Sequence, residues 1–148
     1  MAKLPKKKRL REICDQLWSL AVKIDWGCVC AMCKKREDLN SHHLIPRQHY
    51  AVRYDLQNGI CLCAGCHRFN PHHSPHKNGP GFNRWLETRY PLRHKWLQDT
   101  VDAGYAFTET KNNQYFLSTM QALSEYIDPY EFQNIVGIRL CAYLEENL

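Results

Sequence analysis

Four short motifs, Cys30-Ala-Met-Cys33, His42-His43-Leu-Ile-Pro46, Asn58-Gly59 and Cys63-Ala-Gly-Cys66-His67, follow one another in the first half of this chain. Two Cys-x-x-Cys pairs about thirty residues apart can supply four thiolates to one tetrahedral zinc ion. The histidines between and after the pairs can bind a second ion. The stretch therefore predicts two metal sites, one that stabilises the fold and one that supports chemistry.

The structural zinc site has more cysteines near it than it needs. Cys28 and Cys61 each precede a motif cysteine by two residues, so both are alternative ligands. A two-residue gap gives the better chelate loop, and we expect Cys28 and Cys61 to be strand residues that face the core. The predicted ligands of the structural Zn²⁺ are Cys30, Cys33, Cys63 and Cys66. Bound metal should supply much of the folding free energy of this small centre.

Length and composition limit the classes of protein that fit. The chain has 148 residues and no apolar stretch long enough to span a membrane, and its basic N-terminus is not followed by the apolar run of a secretory signal. Paired Cys-x-x-Cys motifs in such a chain favour thiolate metal ligands over disulfides. We expect a soluble, cytoplasmic protein.

Charge is distributed unevenly along the chain. Residues 1–100 contain 18 Lys and Arg against 8 Asp and Glu, whereas residues 101–148 contain 2 against 7, so the net charges are +10 and −5. The basic part contains all four motifs. A polyanion bound there would release counterions, which makes nucleic acid the natural partner.

Hydrophobic periodicity places the motifs in an α+β fold. Apolar residues at intervals of three and four predict a helix over residues 7–25, and Asn40–Ile45 and Gln57–Leu62 are predicted to be short strands. A helix should begin near Ala64. Strand, loop, strand and helix in this order is the ββα-metal arrangement.

The rest of the chain is predicted to be helical. Helices are expected on either side of Pro91, over Asn113–Ile127, and from Asp128, whose carboxylate can cap the last helix. The acidic C-terminal part either packs on the core or mediates self-association. The predicted regions are a basic N-terminal helix in residues 1–26, a zinc-stapled core in residues 27–86 and a helical C-terminal region in residues 87–148.

The stretch from Cys30 to about Trp85 resembles the HNH endonucleases, and most closely the small zinc-ribbon HNH proteins of bacteriophages. The shared pattern is a Cys-x-x-Cys, a His-His pair before Ile-Pro, an asparagine that opens the second strand, and Cys-x-x-Cys-His. The nine-residue step from Asn58 to His67 matches the family spacing. The resemblance implies a metal-dependent DNA endonuclease with a ββα-metal core.

The resemblance also implies residue roles. His43 would be the general base that activates water, since a neutral imidazole accepts a proton near neutral pH. The side-chain carbonyl of Asn58 would accept the other ring N–H of His43 and fix its tautomer. His42 and His67 would bind a single divalent ion, Mg²⁺, Mn²⁺ or Ni²⁺, on the scissile phosphate.

The third metal ligand departs from the family pattern. The family histidine that usually follows His67 by about four residues is replaced by Pro71. His76 is favoured, because its spacing to Phe82 and Trp85 reproduces the family's. The alternatives are His72 and His73. A loop whose histidines meet DNA phosphates directly is a further possibility.

Three arginines that flank the site, Arg47, Arg53 and Arg68, are candidate clamps for DNA phosphates. No base-reading motif is evident. The expected function is therefore DNA cleavage in phage replication, recombination or packaging, with a host-cell partner or a homodimer possible. A zinc-ribbon nucleic-acid-binding module without catalysis, and a structural adaptor, are the alternatives.

Overall fold

The computed structural model describes residues 3–105 and 111–148; residues 1, 2 and 106–110, which fall in the predicted N-terminal and C-terminal regions, lie outside the described residues. The helices are α1 Lys7–Asp25, α2 Gly79–Arg89, α3 Pro91–Ala103, α4 Asn113–Ser124, α5 Pro129–Val136 and α6 Ile138–Asn147. The strands are β1 Leu39–His43 and β2 Gly59–Cys63.

Helix α1 is the central element of the fold, and its predicted span is confirmed. Its apolar residues recur every three or four positions, so that one stripe is buried along its whole length. The buried stripe comprises Leu10, Ile13, Cys14, Leu17, Trp18, Ala21 and Val22. This stripe packs against α4 and α5 on one side and against the sheet on the other.

The two strands form one antiparallel sheet in which Leu39 is opposite Cys63 and His43 is opposite Gly59. Every residue of β2 is buried, since α1 covers the sheet closely. A Cβ atom at Gly59 would collide with the side chains of Val22 and Trp18. Only glycine allows this close approach of strand and helix.

The helix predicted to start near Ala64 is a single turn. A single π-helical turn, Gly65–Phe69, follows the strand, and an irregular loop then leads to α2. The side chain of Asn70 accepts hydrogen bonds from the backbone N–H groups of His72 and His73, which turns the chain away from a helical path. The Asn78 side chain then caps α2 through the N–H of Gly81.

The predicted final helix is divided in two. Asp128 caps α5 as expected, its carboxylate accepting from the N–H groups of Tyr130 and Glu131. Gly137 then adopts φ of +92°, which ends α5 and allows α6 to start in a new direction. Helices α4 and α5 of the C-terminal region contact α1, so this region packs on the core.

Two hydrophobic clusters stabilise the described residues. The larger one joins α1 with α4, α5 and α6. The smaller one surrounds the cysteine motifs and includes Ile60, Leu62, Phe82 and Leu86. The fold is α+β with a cysteine-centred ββα core, as predicted. No helix in the described ranges has the length and apolarity needed to cross a membrane.

Candidate metal centre and catalytic site

The four predicted zinc ligands come together. The sulfur atoms of Cys30, Cys33, Cys63 and Cys66 all lie within 4.8 Å of one another, and Cys33 Sγ is 3.6 Å from Cys63 Sγ. Four thiolates at 2.3 Å from a tetrahedral zinc ion would lie about 3.8 Å apart, so this cluster fits Zn²⁺. The backbone N–H groups of Cys33 and Cys66 point at Cys30 Sγ and Cys63 Sγ at 3.5 Å.

These N–H groups also favour the thiolate form that binds metal. Burial alone would raise the pKa of the Cys30 thiol, but hydrogen bonds from the backbone of Cys33 and its neighbours lower that pKa to about 7. Burial raises the pKa of Cys66. A divalent cation among the four sulfurs would offset the cost of burying these charges.

The two spare cysteines lie outside this cluster. Cys61 is a buried residue of β2, as expected. The expectation for Cys28 was wrong. Cys28 is exposed and lies in the turn after α1 at a φ of +55°, because Gly27 and Cys28 reverse the chain there instead of starting a strand.

A second cluster is formed by His42 on β1, His67 in the π-helical turn and His76 in the following loop. Their ring nitrogens lie within 4.8 Å of one another. His67 Nε2 is 3.1 Å from His42 Nδ1 and 3.0 Å from His76 Nε2. Three imidazole nitrogens that converge in this way can bind one divalent transition metal ion.

The electrostatic environment keeps two of these rings ready to bind metal. Burial, with the neighbouring His67 and His76, lowers the pKa of His42 to about 3. Burial and the proximity of His76 lower the pKa of His67 to about 4. Both rings are therefore neutral near pH 7, and their lone pairs are available without loss of a proton.

The loop that carries His76 is held by a buried serine. Ser74 Oγ donates to the carbonyl oxygen of His67 at 2.7 Å and accepts from the N–H groups of His76 and Lys77 at 3.3 Å. This hydroxyl therefore joins the backbone of one histidine of the cluster to the backbone of the next. His72 and His73 are exposed and do not belong to the cluster.

His43 is held on the opposite side of the sheet, against α1. Its ring stacks on Trp18 with 3.8 Å between ring centroids and 9° between planes. Its Nε2 lies 2.9 Å from the carbonyl oxygen of Arg53. Because a carbonyl only accepts, Nε2 carries the proton and Nδ1 keeps its lone pair. Burial, together with the nearby Arg53 cation, lowers the pKa of His43 to about 4.

The expected hydrogen bond from the His43 ring N–H to the Asn58 side-chain carbonyl is not the one found. Asn58 is fully buried; its Oδ1 accepts from Ile45 N–H, and its Nδ2 donates to the carbonyls of Ile45 and Val52. The asparagine therefore fixes the two ends of the loop between the strands. It positions His43 through that loop, whose Arg53 carbonyl meets the ring.

Arg53 does not face DNA, contrary to expectation. It is 6% exposed, and its guanidinium binds both carboxylate oxygens of Asp15 at 2.8–3.1 Å and the carbonyl of Arg47 at 2.8 Å. A buried cation needs such a partner. The side chains of Arg47 and Arg68 are exposed, which leaves these two arginines free for phosphate contact.

Sequence reasoning missed three residues that support the site, Asp15, Trp18 and Ser74. Trp18 was placed in the apolar stripe of α1 for packing alone. Asp15 carries a weak signal, since it is an acidic residue next to that stripe. Ser74 carries none, because its role depends on the path of an irregular loop.

The two-stranded sheet, the helical turn after it and the histidine cluster together define a centre of the ββα-metal class. Comparison with families agrees: residues 30–71 match the sequence model of a family described as HNH endonuclease. This segment is therefore similar to the HNH endonuclease family over those 42 residues. Searches of curated proteins and of solved structures gave no significant match to the chain.

Proposed function

We propose that this protein is a metal-dependent DNA endonuclease that hydrolyses phosphodiester bonds. The observation that carries the proposal is the pairing of a three-histidine cluster with a neutral, oriented imidazole at the end of the same strand. Hydrolysis of a phosphodiester needs an activated water and neutralisation of charge on the phosphoryl group. The match of residues 30–71 to HNH endonucleases supports the same reaction.

Three residues would hold the catalytic metal: His42, His67 and His76. Imidazole ligands suit Mn²⁺ and Ni²⁺, and Mg²⁺ can be used where phosphate oxygens complete its shell. A bound divalent ion supplies charge neutralisation on the phosphate and stabilises the departing 3′ oxygen.

His43 is the proposed general base. Its Nδ1 accepts a proton from water, while the Arg53 carbonyl and the Trp18 ring hold the imidazole in place. His42 and His43 are consecutive in β1, so their side chains leave the strand on opposite sides. The metal on the His42 side and the base His43 would then reach a phosphate at the end of β1 from opposite sides. This arrangement suits an in-line displacement, in which the entering and leaving oxygens lie on opposite sides of the phosphorus.

The substrate is proposed to be DNA, bound by the basic residues 1–100 with Arg47 and Arg68 among the phosphate contacts. We propose a role in phage DNA replication, recombination or packaging in the cytoplasm of the host cell. Cleavage of both strands would most simply use a homodimer, with one site for each strand.

Nicking of supercoiled plasmid tests the proposal. Zinc-loaded protein is incubated with plasmid and Mg²⁺, Mn²⁺ or Ni²⁺ in turn, beside His43→Ala and a control, His49→Ala, from the same loop. We expect nicked or linear DNA with at least one of these metals, loss of cutting in His43→Ala and retention in His49→Ala. DNA binding without metal-dependent cutting by the wild type would instead identify a nucleic-acid-binding module, and absence of DNA binding a structural adaptor.

A further inference from the structure

A cavity of about 460 Å³ opens along the outer side of α2, next to the histidine cluster. We call it the α2 pocket. The residues that give it its chemistry are His72, His73, Arg84, Trp85 and Arg89. None of them belongs to the zinc site, to the histidine cluster or to the support of His43.

The α2 pocket is cationic and aromatic. Arg84 and Arg89 are exposed, and within the described ranges neither guanidinium has an ion pair or a hydrogen bond to another side chain. No carboxylate among the described residues lines the cavity. Trp85 is half-buried and forms one wall. Two uncompensated guanidinium groups beside an indole ring suit a phosphate joined to a planar base.

The α2 pocket is connected to the metal cluster by direct contacts. The ring of His42 meets the ring of Phe82 at 5.8 Å, and Phe82 stacks on Trp85 at 5.8 Å. These two steps place Trp85 no more than about 12 Å from His42, which is within a few nucleotides along a DNA strand. The loop that ends in His76 also supplies the pocket residues His72 and His73.

We propose that the α2 pocket binds one unpaired nucleotide of the strand that is cut, with its base against Trp85 and its phosphates on Arg84 and Arg89. The base must be unpaired, because in a duplex both faces of each base are covered by its neighbours and only its edges are accessible. The inference rests on the proposed function and narrows its substrate to DNA with single-stranded nucleotides beside the cleaved bond.

Binding without cleavage provides the test. Zinc-loaded full-length protein with no added catalytic metal is titrated against labelled oligothymidine and against a duplex of the same length. For Trp85→Leu we expect affinity for the single strand to fall on the order of 10-fold. Affinity for the duplex should change less than about twofold. Trp85→Phe retains an aromatic face and should bind oligothymidine nearly as well as the wild type.

The arginines are tested by the salt dependence of binding. Arg84→Gln and Arg89→Gln should each lower the slope of log affinity against log salt by about 0.7 for the single strand. Arg139→Gln, an exposed arginine on α6, is the matched control and should leave the slope unchanged. Both pocket arginines are exposed, so these variants keep the test valid if Trp85→Leu does not fold.

Two results would overturn the inference. One is equal weakening of single-strand and duplex binding by Trp85→Leu with its zinc content intact, which would give the indole a structural role only. The other is a salt slope for Arg84→Gln and Arg89→Gln that equals the slope of Arg139→Gln. If the protein never cuts plasmid but Trp85→Leu weakens single-strand binding, the nuclease proposal is refuted and nucleotide binding in the α2 pocket stands. If the protein cuts plasmid but Trp85→Leu does not weaken single-strand binding selectively, the nuclease proposal stands and the α2 pocket is refuted.

Discussion

At the scale of single residues, the hydroxyl of Ser74 is the link between His67 and His76. It is fully buried and makes three hydrogen bonds to the loop backbone. Ser74→Ala removes the hydroxyl from the His67 carbonyl and the His76 N–H, while the Lys77 N–H keeps its bond to the Ser74 carbonyl oxygen. This loss should lower the free energy of unfolding by about 1–3 kcal/mol. Because the loop positions His76, we also expect Mn²⁺ to bind about 10-fold more weakly to the zinc-loaded protein by calorimetry.

The control for this exchange is Ser118→Ala on the exposed side of α4, where the hydroxyl accepts a hydrogen bond from the exposed side chain of Gln114. Its stability and Mn²⁺ affinity should match the wild type. Unchanged Mn²⁺ affinity in Ser74→Ala would mean that His76 reaches the cluster without this hydroxyl, and that part of the account would be wrong.

The burial of His43 against Trp18 predicts an unusual pH dependence. The lowered pKa of about 4 keeps the ring neutral at any higher pH, so the base is lost only as the pH falls through that value. With saturating metal, the cleavage rate should hold from neutral pH down to about pH 5, whereas an ordinary imidazole would lose activity near 6.5. Trp18→Leu should shift the acidic limb of the pH–rate profile towards 6.5. An acidic limb that lies near 6.5 in the wild type would contradict this account.

At the scale of elements, α1 supports the proposed base His43 although it lies outside residues 30–71. Asp15 holds the Arg53 guanidinium, and the Arg53 carbonyl holds His43. Asp15→Asn should reduce the turnover number about 10-fold with little change in KM, since it loosens the base and not the substrate. The free energy of unfolding should fall by about 1–2 kcal/mol, because the buried Arg53 cation loses its charged partner. The loss stays this small because Asp15 is partly exposed to solvent.

Glu12→Gln is the matched change on the same helix, because the ion pair of Glu12 with Arg9, at 4.0 Å, is exposed to solvent. For Glu12→Gln, the turnover number and the urea concentration at the midpoint of unfolding should both stay close to the wild-type values. If Asp15→Asn lowers stability as expected but leaves turnover unchanged, α1 supports the fold alone.

The elements also show how far sequence reasoning reaches. The apolar residues from Leu10 to Ile24 predicted the whole of α1, because periodic burial on one helix face leaves a direct record in the sequence. The start of a helix near Ala64 was predicted, but its end after one turn was not, since the side chain of Asn70 competes with the helical path. The break at Gly137 was missed because the apolar positions continue in helical spacing across it.

Some residues of the candidate site could be predicted from the sequence and others could not. The cysteines could be predicted because chelation requires fixed local spacings, whereas His42, His67 and His76 followed from the resemblance to the HNH pattern. The partner of Arg53 could not: Asp15 is 38 residues away in sequence, and only tertiary packing brings the two together. An arginine in a basic loop was therefore taken for a DNA contact when it is a buried structural cation.

At the scale of the whole molecule, two hydrophobic clusters predict two levels of dependence on zinc. The cluster around α1, α4, α5 and α6 contains none of the zinc ligands, whereas the cluster around the strands and α2 includes Cys30, Cys63 and Cys66. Removal of zinc should therefore disorder the ββα core and abolish cleavage, while most of the helical circular dichroism signal remains.

Titration with a zinc chelator, followed by circular dichroism and by metal release, checks this expectation. The Cys63→Ser variant should behave like the chelated wild type. A single transition in which the helical signal vanishes together with the zinc would show that the two clusters fold as one unit.

The most direct test of the proposed function is single-turnover cleavage by His43→Ala in the presence of Mn²⁺. Because His43 is proposed to remove a proton and not to bind metal, its loss should slow cleavage at least about 100-fold while Mn²⁺ affinity stays within about twofold of the wild type. Added imidazole should restore part of the rate. Cleavage by His43→Ala at the wild-type rate, or a loss of rate explained by lost Mn²⁺ binding, would contradict the assignment of His43 as the base.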